Sequence, residues 1–101
     1  MSNDAHGAGS QGEVQLENEF FRVTRWTIEA GGAIPMHRHD YEYVVVPLVT
    51  DTMHVVMADG SEIVADLTFG QSYTRPAGSE HRVENRGDGA PIVFVETERL
   101  A

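Results

Sequence analysis

His37 and His39 stand one residue apart in the stretch Gly32–Glu42, which reads GAIPMHRHDYE. Side chains of an extended chain alternate between faces, so positions i and i+2 point the same way. Both imidazoles then leave one face of a strand and can converge on one point, with Arg38 turned away. Neutral imidazole is the commonest metal ligand among side chains, so the pair suits a metal ion. Two histidines do not complete a site. A third ligand must come from elsewhere, on a fold that brings it close.

Two absences narrow what the rest of the chain can offer. There is no cysteine, which excludes disulfides, thiolate nucleophiles and cysteine-based zinc sites. There is no lysine either, since all seven basic residues are arginine, and this excludes a Schiff base or a Walker A lysine. Chemistry is left to His, Asp/Glu, Tyr, Arg, Ser/Thr or a metal. Ser79-Glu80-His81 is too compact for a catalytic triad, because sequence neighbours point apart.

The elements that must position these groups are short. The chain has 101 residues, 41% of them hydrophobic, which fits one small domain. A net charge of −9 makes nucleic acid or an anionic membrane a poor partner, because phosphate binding rests on Lys/Arg clusters. The first dozen residues lack an apolar signal region and no run is long enough to span a bilayer, so a soluble, cytoplasmic protein is expected. Residues 1–12 are polar and Gly-rich and are expected to form a disordered tail, with His6 solvated in it. Residues 13–101 read as one domain.

From Glu13 onward the pattern is a series of strands separated by turn signals, without a helix-period stretch. Phe20–Glu29 is aromatic and β-branched, and a shift in its apolar phase between Val23 and Trp26 predicts a bulge or bend. Met36–His39 begins an extended piece. Glu42–Val49 is apolar on both faces, with Pro47 predicting an edge or bulge. Met53–Ala58 and Ser61–Leu67 flank Asp59-Gly60, a strong hairpin signal. His54 shares parity with Val56 and is read as a structural histidine or a pocket residue. Gly70–Arg75, His81–Asn85 and Ile92–Glu98 complete the series, separated by Pro76-Ala77-Gly78 and Asn85–Pro91. Eight or nine short strands with no helix predict an all-β sandwich or barrel.

The sequence also resembles the cupin family, which carries two motifs in order. Gly31-Gly32 precedes His37-Arg38-His39 at the spacing of the first motif. Gly70, Pro76, Gly78, His81 and Asn85 match every position of the second. The resemblance covers about Val14 to Glu98. It implies a double-stranded β-helix, or jelly-roll β-barrel, in which His81 meets His37 and His39 around a metal. The family's ligand glutamate lies four or five residues past the second histidine. Here Tyr43 stands at the four-residue position and Glu42 one place earlier, on the opposite face by strict alternation.

The resemblance thus implies a metal centre of His37, His39 and His81, with Tyr43 and Glu42 as candidate proton-transfer groups. Imidazole ligands favour Fe, Zn, Ni or Cu over Mn. Arg75, just before Pro76, would face the barrel mouth and hold a substrate carboxylate, or else pair with a surface acid. The expected function is a metal-dependent enzyme of dioxygenase, isomerase or cyclase type acting on a small organic molecule. The alternatives are a binding or sensor module without turnover and a metal-free structural dimer. A homodimer is expected from the resemblance and from edge strands that need cover.

Overall fold

The computed structural model describes residues 9–101, which form nine strands and no helix. The strands are β1 (Ser10–Glu17), β2 (Phe21–Ile28), β3 (Ala33–Arg38), β4 (Tyr43–Pro47), β5 (Asp51–Met57), β6 (Glu62–Leu67), β7 (Tyr73–Arg75), β8 (Glu80–Glu84) and β9 (Ile92–Arg99). They build two antiparallel sheets, ordered β1-β2-β9-β4-β7 and β3-β8-β5-β6, as a jelly roll requires. Among the described residues no helix is long and apolar enough to cross a membrane.

Part of the segment expected to be a disordered tail over residues 1–12 lies in strand β1. Ser10–Gly12 already pair with β2, Gly12 opposite Trp26, while residues 1–8 with His6 lie outside the described residues. The bulge predicted within Phe20–Glu29 is absent from that segment. β2 pairs with β9 in unbroken register, and the irregularity falls on the facing strand, between Val14 and Leu16 of β1. The apparent phase shift arises because polar Thr24 is the inward residue and Val23 the outward one. Pro47 ends β4 past the last residue paired with three-residue β7, so no ladder bond needs the missing N–H.

Between the sheets lies a core of Ile28, Ile34, Val45, Met53, Leu67, Val83, Ile92 and Phe94, with Tyr43 at its margin. Removing each such side chain from water contributes about 1.5–3 kcal/mol. Asn85 is fixed at one end of this core. Its amide donates to Ile28 O (3.0 Å) and Ala90 O (2.9 Å), and its side-chain oxygen accepts from Gly87 N (3.0 Å). Those bonds tie the β8–β9 loop to the end of β2.

Inward-facing residues change character along each strand, always toward the same end. β9 runs Ile92, Phe94, Glu96, Glu98; β4 read backwards runs Pro47, Val45, Tyr43; from Asn85, just past the end of β8, the chain read backwards runs Asn85, Val83, His81. One end of the barrel is therefore packed shut and the other is lined with groups that carry chemistry.

Candidate metal centre

β3 and β8 pair antiparallel with His37 directly opposite His81. His39 lies one residue past β3, and its backbone stays pinned: its N–H donates to Ser79 O (2.8 Å) and its carbonyl accepts from Gly78 N (2.7 Å). Gly78 holds φ 95°, a left-handed turn that favours glycine, and so lets the β7–β8 turn fold back onto His39. The Pro-Ala-Gly turn thus does more than end a strand. It fixes the backbone of His39 through Gly78 N and Ser79 O.

The three rings converge. His39 Nε2 lies 2.9 Å from His37 Nε2 and 3.1 Å from His81 Nε2. The His37 Nδ1–H donates to Pro35 O at 2.7 Å, which leaves His37 Nε2 as a bare lone pair turned to the centre. His39 Nε2 carries at most one proton in the neutral ring and cannot satisfy both neighbours. The cluster therefore holds more acceptors than protons, as a metal site should. Nitrogens bound about 2.0–2.1 Å from one ion stand about 2.8–3.0 Å apart at octahedral angles and about 3.3–3.4 Å apart at tetrahedral ones, close to the spacing seen.

Electrostatics favour the same use. Burial, with the neighbouring imidazoles adding to it, pushes His39 down to about 3 and His81 down to about 4, and burial also lowers His37. All three are neutral at pH 7, the form that binds metals.

Above the histidines is a cavity of about 240 Å³, walled by Ile34, Val45, Met53, Val55, Met57 and Phe94 and edged by Tyr43, Tyr73, Arg75 and Glu96. Tyr43 is buried and stacks on the His39 ring, with centroids 4.0 Å apart and planes 23° from parallel. Burial pushes its phenol up to about 12, so it remains a neutral hydrogen-bonding group. Arg75 stands at the exposed rim, its guanidinium 4.6 Å over the Tyr73 ring and one N–H on Thr74 O. Among the described residues it has no carboxylate within ion-pair distance, unlike five of the other six arginines.

Glu42 does not join the group. It is exposed on the outside of the barrel, 3.6 Å from Arg99, because alternation along the chain turns it opposite to Tyr43. His54 is likewise excluded. Met53, Val55 and Met57 face the cavity from β5, which leaves His54 on the outer face.

Two acids near the centre went unnoticed in the sequence. Glu96 and Glu98 are 8% and 9% exposed and cluster with His39. Glu98 is bound by Arg22 through both carboxylate oxygens, at 2.8 and 3.1 Å. Glu96 lines the cavity, and burial together with the nearby Glu98 charge raises it to about 8. The signal was present in Ile92–Glu98: two acids share parity with Ile92 and Phe94 and so point inward with them.

The cupin domain family matches residues 24–98, most of the chain. The chain belongs to the cupin family. Among curated proteins, this cupin is 42% identical over 85 residues to the β-alanine degradation protein BauB of Pseudomonas aeruginosa, covering 84% of this chain and 87% of that one. Among solved structures it superimposes on a cupin domain from Bordetella pertussis with a TM-score of 0.87 and 43% identity, covering 92% and 95% of the two chains. The polyketide cyclase RemF of Streptomyces resistomycificus shares the fold at 19% identity, with a TM-score of 0.71 and coverage of 92% and 66%. The double-stranded β-helix expected from the two motifs is the observed fold.

Proposed function

We propose that this cupin is a metal-dependent enzyme acting on a small organic molecule held in the cavity above His37, His39 and His81. The observation that carries the reading is the convergence of three neutral imidazoles, one with its proton fixed on Pro35 O, beneath an apolar-walled space of about 240 Å³. The donor set fits Fe, Zn, Ni or Cu better than Mn. Such an ion would supply Lewis-acid or oxygen-binding chemistry.

The remaining roles fall to side chains around the cavity. Pro35 O orients His37, and the Tyr43 ring, packed flat on His39, fixes that imidazole. The Tyr43 hydroxyl serves as a neutral donor to the substrate. Apolar walls exclude water and strengthen each polar contact inside. Arg75, unpaired at the rim, would hold an anionic group bidentately. The relationship to a protein named for β-alanine degradation directs the search toward small amino acids and the carboxylates derived from them.

A second copy belongs to the same proposal. The outer face of β2, β9 and β4 presents Val23, Val93, Val95, Val44 and Val46, with Arg25 beside them and Arg99 at the end of β9. A face of this kind suits self-association.

The test is metal content after purification without chelator, beside a His37→Ala/His39→Ala variant. The proposal expects metal in the wild type alone, and a melting temperature raised by added Fe(II), Zn(II) or Ni(II). Equal metal in both proteins with no thermal shift would refute it. Oxygen uptake with Fe(II), and conversion of small amino and carboxylic acids with each metal, then separates enzyme from binder. Metal binding without any turnover favours a sensor module.

A further inference from the structure

We propose that the hydroxyls of Ser79 and Tyr43 together receive one oxygen of the substrate above the histidines, and that this substrate is a short oxo acid whose carboxylate rests on Arg75. The inference rests on the reading of the cavity as a substrate site. It adds Ser79 to that site and names the class of molecule selected there.

Ser79 reaches the cavity by the same alternation that brings His81 to it. The two stand two residues apart with exposed Glu80 between them, and both line the space. The Ser79 backbone is held in place, since its carbonyl accepts from His39 N–H at 2.8 Å. Its side chain is not spent in this way. Ser79 Oγ is buried, and among the described residues no hydrogen-bond partner meets it. Buried hydroxyls nearly always have a partner, so one left open at a cavity wall is a group held for whatever enters. His54 Nδ1 is also buried and unmet, but His54 does not line the cavity.

The Tyr43 hydroxyl completes the pair. It is turned toward Ser79, close enough to offset part of the effect of burial on the phenol, yet no hydrogen bond closes between them. Stacking on His39 fixes the ring that carries it. Arg75 lies directly opposite Tyr43 in the β4–β7 ladder, and both line the cavity, which sets their Cβ atoms about 4.5–5.5 Å apart. One cation and two neutral hydroxyls therefore edge the same space. A guanidinium takes a carboxylate through both oxygens, whereas two hydroxyl donors suit a single acceptor such as a carbonyl oxygen. A cavity of about 240 Å³ equals the space of roughly eight water molecules, which bounds the ligand to about as many non-hydrogen atoms. A short oxo acid carries both functions within that size.

Calorimetric titration of the metal-free and Co(II)-loaded proteins tests this. The probes are pyruvate and acetoacetate, set against propionate and butyrate, which have the same carbon chains without the oxo group. The wild type should bind the oxo acids about tenfold more tightly than their counterparts. Ser79→Ala should weaken the oxo acids about two- to tenfold and leave propionate, butyrate and Co(II) unchanged. Tyr43→Phe should also weaken the oxo acids, and Arg75→Gln should weaken all four. Melting of each variant checks that it folds. A folded Ser79→Ala protein with the wild-type preference for oxo acids overturns the proposal. So does a wild type that binds them no better than propionate and butyrate. A wild type that takes up no Co(II) but still prefers the oxo acids overturns the metal-centre reading alone.

Discussion

Replacing Glu96 with glutamine should make the metal-free protein more sensitive to acid. His39 and His81 are pushed down to about 3 and about 4 from 6.5. A depressed histidine binds fewer protons folded than unfolded, so its stabilisation is complete above pH 6.5 and is lost as pH falls toward the folded value. Glu96 has the opposite sign. Raised to about 8 from 4.5, it keeps a proton that the unfolded chain releases. Its stabilisation is complete below pH 4.5 and is lost as pH rises through about 8. Between pH 7 and pH 5 the two histidines together withdraw about 3 kcal/mol, after allowance for solvent screening at the cavity mouth. Over the same interval Glu96 restores about 2–3 kcal/mol, so the wild type changes little. Without that offset the glutamine variant should lose roughly 10–20 °C more in melting temperature, at about 4–8 °C per kcal/mol for a domain of this size. Calorimetric melts in chelator at pH 7, 6 and 5 measure it. Parallel pH profiles for the two proteins would refute the reasoning, because they would show that Glu96 is not held protonated in the metal-free fold.

Other consequences can be checked singly. Asn85→Ala removes the donor to Ile28 O and Ala90 O at a buried position and should destabilise the protein by about 2–3 kcal/mol in urea unfolding, well above the effect of a surface change. Glu42→Ala should leave metal affinity within error, since its side chain faces solvent and Arg99, whereas Tyr43→Phe should keep the fold and metal while weakening the substrate. Val95→Glu should convert a dimer to a monomer in light scattering without unfolding it, because this side chain lies on the outer sheet face.

The sequence carried the fold well where local chemistry was distinctive. Asp59-Gly60 predicted the β5–β6 hairpin, and Gly60 indeed takes φ 90° there. Gly70, Pro76, Gly78, His81 and Asn85 marked the second half of the site, and the structure sets His81 opposite His37. Face assignments failed where polarity did not report direction. Thr24 faces in and Val23 out, which made β2 look bulged. His54 shares parity with Val56, but the cavity takes the other face of β5. Glu96 escaped notice because a charge near the end of a final strand reads as exposed, whereas antiparallel pairing between β2 and β4 buries it. Parity with Ile92 and Phe94 gave its direction, but its burial depends on neighbours far along the chain.

Metal binding by His37, His39 and His81 is the proposal on which the functional reading depends. Anomalous diffraction from crystals of protein grown and purified without chelator tests it most directly. A peak within about 2.0–2.3 Å of the three Nε2 atoms is the predicted result. Absence of any peak there after soaking in Zn(II), Ni(II) and Fe(II), with the rings still 2.9 and 3.1 Å apart, would contradict it.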